Sequence, residues 1–333
     1  MAGLFEPHEF SWKEVTFGLQ RILLGLIKKM IVSARLAILV DTVYGNPVQY
    51  TGLYIWIAAG LFMMQLYMDF SGCMDIVTGI SQCYGIILPE NFDCPFLSES
   101  VQEFWQKWHI TLGSWARDYI LYPLLRSRQL QKVSGIMRRR IPKSTANHIV
   151  SFIAMLPVWL FVGLWHGNNP KYALGMGLWF WLCIVLENLL SVPSKRWMSV
   201  LSVRTDTFSW RLFRRIRTFL LVAVGNMFFR LESIKETFSV IRLGLKRMNP
   251  WILFDGSLYE LGLDRKNMSV MLLFLIFVLL LSAAERQNNV REWIAGQGAL
   301  FRSFAYIFMI WSILVFGLYG PGYEMAGFIY EQF

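Results

Sequence analysis

The residues best suited to chemistry are two histidines in apolar company. His166 stands in Trp165-His166-Gly167, at the end of the uncharged stretch Ile149–Trp165, and His109 closes Phe104-Trp105-Gln106-Lys107-Trp108-His109. An imidazole titrates near neutrality, which suits it to moving protons. An ionisable group at the edge of a bilayer-length apolar run is costly and usually has a task. On the residues alone two readings of His166 stay open, a hydrogen bond between helices or proton transfer. Asp69 and Asp75 lie within or beside apolar helices, and Lys107, Arg117 and Asp118 sit among aromatics. Arg117 with an acid such as Asp118 or Asp69 is expected to form an internal pair that holds a polar cavity together, structural or catalytic. His8 and His148 read as structural.

The elements that must position these groups are membrane helices. The chain has 333 residues, 55% of them hydrophobic and 16% charged, the balance of a polytopic membrane protein. Gly52–Met68, Ile149–Trp165, Met268–Ala284 and Ser303–Tyr319 are uncharged runs of 17 residues, each about 25 Å of helix and near the lower limit for a span. Tyr172–Leu186 is a fifth, and Val15–Val40 and Thr218–Phe229 are weaker candidates. The expectation is at least five spans and seven to nine embedded helices in one membrane domain, 1–333, with a core motif region at 65–190.

The net charge of +10 is clustered. Arg126–Lys143 holds seven basic residues and no acid, and Lys195–Arg217 holds seven with one acid. Both are read as cytoplasmic loops that set topology and contact anionic lipid rather than nucleic acid. The helices between them form a hairpin turned at Gly167-Asn168-Asn169-Pro170. Cys73, Cys83, Cys94 and Cys183 show no CxxC or His/Cys metal pattern, so no disulfide and no metal site is expected. Met1–Trp12 lacks the apolar core of a signal peptide.

Between Gln65 and Tyr122 the span Gly52–Met68 is expected to end near Asp69-Phe70-Ser71-Gly72, followed by a second apolar segment containing Asp75. After the loop Leu88–Phe96, Ser98 or Ser100 can cap a helix with Glu103 in its first turn. That helix is read through His109, and the dense Trp, Tyr and Arg beyond it suggest an interfacial or partly re-entrant element.

Five strings in order carry a resemblance: Asp69-Phe70-Ser71-Gly72-x-x-Asp75-Ile76; Leu88-Pro89-Glu90-Asn91-Phe92-Asp93-x-Pro95; Glu103-Phe104-Trp105-x-x-Trp108-His109-Ile110-x-Leu112; Arg117-Asp118-Tyr119; and Gly163-Leu164-Trp165-His166-Gly167. They resemble the membrane-bound O-acyltransferase (MBOAT) family, in particular its bacterial branch of alginate and peptidoglycan O-acetylation proteins and teichoic acid D-alanyl transfer proteins. Pro7-His8-x-Phe10, Gly25-Leu26-x-Lys28-Lys29 and the closing Phe328–Phe333 are similar to the same branch.

The resemblance implies an all-α bundle with interfacial and re-entrant helices around a central tunnel, here lacking the family's first N-terminal helices. It implies acyl transfer from a thioester donor, acetyl-CoA or an acyl carrier, to hydroxyls of an extracytoplasmic polysaccharide or wall polymer. No cofactor or metal is implied. His166 corresponds to the catalytic histidine and His109 to a second histidine of the site. Asp69, Ser71, Asp75, Trp105, Trp108, Arg117, Asp118, Trp165 and Asn168 are the candidate substrate-binding or tunnel-lining residues. Acetyl transfer is the first reading and D-alanyl transfer from a small carrier protein the alternative. Membrane lipids, an extracytoplasmic SGNH-type protein and that carrier are the implied partners, and the implied location is the bacterial plasma membrane, multi-pass. Two other classes remain: an inactive fragment that assembles with partners, and a transporter, against which stands the absence of an inverted repeat.

Overall fold

The computed structural model describes residues 8–246, 248–287 and 290–320. Pro7 and Phe328–Phe333, which entered the resemblance, lie outside the described residues. The fold is helical: α1 (Trp12–Leu26), α2 (Ala34–Gly45), α3 (Leu53–Cys83), α4 (Val101–Lys107), α5 (Ile110–Ala116), α6 (Tyr122–Arg126), α7 (Arg128–Arg140), α8 (Lys143–Trp165), α9 (Leu178–Val200), α10 (Phe208–Arg230), α11 (Ile234–Lys246), α12 (Arg265–Gln287), α13 (Val290–Ala295) and α14 (Ala299–Phe316). Among the described residues five helices are long and apolar enough to cross a membrane: Leu53–Cys83, Lys143–Trp165, Lys171–Ser191, Arg265–Arg286 and Ala299–Phe316. These contain most of each of the five apolar runs read from the sequence. Among the described residues, three π-helical stretches interrupt the α-helical pattern, Ile27–Ser33 between α1 and α2, Arg117–Leu121 after α5, and Lys171–Gly177 before α9.

The chain falls into two compact units, one of residues up to Cys94 together with those from Val240 onward, the other Pro95–Ser239. In the first, α1 and α3 pack antiparallel through small residues. A Cβ on Gly72 would lie 2.8 Å from the carbonyl oxygen of Gly25, and one on Gly79 2.6 Å from that of Gly18. Glycine at both levels lets the two backbones approach, the device that holds membrane helices together where no hydrophobic force acts between them. Polar groups are paired across the same seam. Lys28 Nζ lies 2.6 Å from Asp75, Arg21 Nε 3.1 Å from Asp75, and Lys29 Nζ 2.7 Å from Asp69, with Arg21 also bound to Glu90. Buried Arg35 donates to the Phe316 carbonyl at 2.7 Å and to Asn267 Oδ1 at 3.1 Å, tying α2 to α12 and the end of α14.

Several expectations change here. The span Gly52–Met68 does not end at Asp69: α3 runs unbroken for 31 residues through Asp75, because cations on α1 and the π-helical stretch neutralise both acids inside the helix pair. The weak segment Thr218–Phe229 belongs to a 23-residue helix, α10, whose first half is basic. Arg126–Lys143 is largely helix rather than loop, since Ser127 caps α7 by accepting from the Leu130 amide. The basic residues of Lys195–Arg217 likewise sit mostly on α9 and α10.

In the second unit, Ser100 Oγ accepts from the Glu103 amide at 3.0 Å, and Glu103 Oε2 accepts from the Glu99 amide at 2.8 Å. Such reciprocal bonds fix where α4 starts. Glu103 then receives Lys107 Nζ at 2.6 Å, a pair one helical turn on that supports the short helix.

Candidate active site

The helix through His109 is not continuous. α4 stops at Lys107, Trp108 is extended, and His109 adopts the left-handed conformation (φ 47°, ψ 53°) before α5 begins. That conformation disfavours a residue with a Cβ by about 1–2 kcal/mol, and such strain collects where geometry serves a site. The break carries the His109 ring to the Trp165 ring, edge to face with centroids 5.6 Å apart.

His166 follows the last residue of α8. Its amide donates to the Gly163 carbonyl at 3.0 Å, and Gly167, at φ 144°, takes the chain away from the helix in a conformation that favours glycine. The expected turn at 167–170 is present. Asn169 Oδ1 accepts from the Lys171 amide at 3.0 Å, and the Asn169 carbonyl accepts from the Tyr172 amide at 3.1 Å. Two further bonds tie this turn to the end of α10: Lys171 Nζ donates to the Leu231 carbonyl at 2.7 Å, and Asn169 Nδ2 to the Glu232 carbonyl at 3.2 Å. The same stretch supplies Phe229, whose ring meets His166 edge-on at 5.2 Å and Tyr172 at 5.6 Å. Trp165 closes the other side, 4.9 Å from the His166 ring. Trp165 thus bridges the two imidazoles.

Both histidines stand outside the spanning segments, His166 immediately past Trp165. Burial pushes the pKa of each well below the ordinary histidine range, and for His166 the neighbouring His109 adds to the effect. Each imidazole is therefore neutral at pH 7, with one nitrogen able to accept a proton and the other to donate one. A cavity of about 480 Å³ is lined by His109, Thr111, Leu112, Trp115, Phe161 and Trp165. His166 sits behind Trp165, only 9% exposed and not among the cavity's lining residues. An aromatic-walled space beside a proton acceptor can hold an acyl chain or thioester and activate a hydroxyl.

The other candidates divide. Trp105 packs against Trp159 at 5.1 Å and Phe180 at 4.7 Å, its buried indole N–H without a partner among the described residues. Trp108 stacks on Phe104 at 5.4 Å. Asn168 is exposed at the turn. Arg117 and Asp118 do pair, at 3.1 Å, but both side chains are half exposed, so the pair is not internal as expected. The adjacent sequence positions and the π-helical turn aim both outward. Asp69, Ser71 and Asp75 belong to the first unit, where Asp69 is paired with Lys29 and Asp75 with Arg21 and Lys28. Among the described residues no group of three or more His, Cys, Asp or Glu side chains is placed to hold a metal ion.

Sequence reasoning missed Lys171, Tyr172, Phe229, Trp115 and Phe161. Lys171 carried a signal, since a lysine flanking an apolar run needs an acceptor. The aromatics carried none, because their rings are interchangeable with lipid-facing ones until helix facing is known.

Residues 3–139 match the family model described as MBOAT, membrane-bound O-acyltransferase family, a stretch that includes His109 and ends before His166. The chain is 32% identical over 234 residues to the probable alginate O-acetylase AlgI of Pseudomonas syringae pv. tomato, which covers 70% of this chain and 39% of that protein. It is 23% identical over 321 residues to the peptidoglycan O-acetyltransferase of Helicobacter pylori (91% and 56%), and 27% identical over 203 residues to the teichoic acid D-alanyltransferase of Bacillus subtilis (56% and 46%). The chain spans about two fifths of the length of the alginate O-acetylase it matches.

Proposed function

The chain belongs to the membrane-bound O-acyltransferase family, and we propose that it is a multi-pass membrane enzyme that transfers an acyl group, acetyl in the first instance, from a thioester to hydroxyls of an extracytoplasmic polysaccharide or wall polymer. The observation that carries the reading is the pair of imidazoles, His166 buried and His109 half-buried, on either side of Trp165. His166 takes the proton of the acceptor hydroxyl as its oxygen attacks the thioester carbonyl. The tetrahedral intermediate then expels the thiolate, which leaves with the proton held by His166. His109, donating its N–H, steadies the oxyanion or orients the donor. General-base help of this kind contributes about 10²–10⁴-fold. The donor is acetyl-CoA or an acyl carrier, with the aromatic cavity receiving its acyl end. No metal or bound cofactor enters. The bacterial relatives support a plasma-membrane location, and an SGNH-type partner would complete delivery to the polymer.

D-alanyl transfer is the second reading, supported by the likeness to teichoic acid D-alanyltransferases. It differs in using a small acidic carrier protein as donor. Cell envelopes carrying the intact chain or His166→Ala, at matched membrane levels, separate the two. Base-labile esters released from wall and exopolysaccharide fractions are identified by mass spectrometry. Acetate lost in the variant is the expected result, whereas D-alanine lost instead favours the second reading. Equal esters in both, with the intact chain active, overturn the assignment of His166.

A further inference from the structure

The first unit holds a cavity of about 520 Å³ whose lining is charged yet balanced. Deep in it, Asp75 receives Arg21 and Lys28, and Arg21 reaches Glu90. At its rim Arg286 lies 3.2 Å from Asp93 and Arg291 3.0 Å from Glu285. Four cations face four anions, so the lining sums to zero. The two pairs on Asp75 are nearly inaccessible, whereas Glu90, 55% exposed, reaches the rim, where the pairs are open enough for their partners to be exchanged, Arg286 and Asp93 being 44% exposed each.

The cavity is also polarised along its depth. Arg286 ends the span Arg265–Arg286, which puts the rim pairs at the level where a span meets water. Leu24, Met74, Leu281 and Met309 supply apolar walls from within the helices. Two polar groups among these walls are unsatisfied: Ser71 Oγ, in a residue only 2% exposed, and Gln20 Oε1, in one only 6% exposed, have no hydrogen-bond partner among the described residues. The Gln20 amide nitrogen is already committed to Tyr306 at 2.7 Å, which leaves its oxygen as an acceptor. A buried donor or acceptor left without a partner is costly, so such groups call for a ligand.

We propose that this cavity is a binding site for a zwitterionic phospholipid of the phosphatidylethanolamine type. The phosphate exchanges onto Arg286 and Arg291, which leave Asp93 and Glu285 to receive the ammonium together with Glu90. Ser71 donates to a glycerol-ester carbonyl, Gln20 Oε1 accepts from the ammonium, and the acyl chains run along Leu281 and Met309. A zero-sum lining selects against an anionic lipid, which would leave an unpaired charge, and more strongly against a nucleotide thioester with its several phosphate charges.

The test uses the full chain, purified and delipidated in detergent, with thermal unfolding followed as lipid is added. A ligand that binds only the folded state raises the transition in proportion to the logarithm of its concentration. Phosphatidylethanolamine is expected to raise it, with phosphatidylglycerol and coenzyme A giving no rise at equal concentration. Ser71→Leu, which fills the cavity wall, and Arg291→Ala, at the accessible rim, are each expected to weaken the midpoint for phosphatidylethanolamine at least tenfold. Should Ser71→Leu fail to fold, Arg291→Ala decides alone. Equal rises with phosphatidylglycerol or coenzyme A, or a phosphatidylethanolamine response unchanged in Arg291→Ala, overturn the proposal.

Discussion

The two units bury their titratable groups in opposite ways. Between α1 and α3, Asp69 and Asp75 are paired with lysine and arginine at 2.6–3.1 Å. In Pro95–Ser239, His109 and His166 are enclosed by Trp165, Phe229 and Tyr172 and kept neutral by burial. A buried charge with its counter-charge fixed beside it is committed to that partner, so it serves architecture. Under the proposed function, a neutral imidazole among rings can change protonation during a reaction, so it suits chemistry. Burial alone therefore does not mark a functional group; the character of its neighbours does.

Three measurements can break or sharpen that contrast. The largest effect is expected at Asp75. Replacing it by alanine leaves Lys28 buried opposite a hole and Arg21 with Glu90 alone, and removing one partner of a buried pair destabilises by about 3–5 kcal/mol. Thermal unfolding in detergent should show a large fall for Asp75→Ala, and an unchanged transition would mean the seam is held by its glycines alone.

The second concerns pH. A general base works only when unprotonated, and a depressed pKa keeps it unprotonated to lower pH. Ester formation should therefore stay level as pH falls through about 6.5, the ordinary histidine value, and decline only well below it. A rate that halves near 6.5 would show that water reaches His166 freely and that its ring is not sealed behind Trp165.

The smallest effect is expected at Arg117. Its pair with Asp118 is half exposed, and such pairs contribute about 0–1 kcal/mol. Arg117→Ala should leave unfolding within that margin, and a loss comparable with Asp75→Ala would place this pair in the architectural class.

Much of this contrast was legible in the chain, and the gaps have physical causes. Long apolar runs announce helices because a bilayer demands them, and all five expected spans correspond to helices of sufficient length. The continuity of α3 through Asp69 and Asp75 was hidden because the neutralising cations lie 40 to 54 positions away in sequence. Of those cations, Lys28 and Lys29 had entered through the family resemblance, with nothing nearby to show their partners. The break at His109 was hidden for another reason: no glycine or proline marks it, and its left-handed backbone depends on its surroundings. On the candidate site, Gly167-Asn168-Asn169-Pro170 marked the turn, but nothing local could show that Lys171 and Asn169 fasten it to Leu231 and Glu232.

The π-helical stretch Ile27–Ser33 bears on how this chain can change over generations. Each residue of a helix advances the face by about 100°, so a wider turn accommodates its extra residue only if everything downstream keeps the resulting phase. Losing one codon between Ile27 and Ser33 would swing α2 round by that angle and take Arg35 away from the Phe316 carbonyl and Asn267. Point substitutions leave this phase intact, whereas a one-codon deletion rotates every contact beyond it. The stretch thus acts as a reading-frame marker for the fold, closed to single-residue gaps whatever residues fill it.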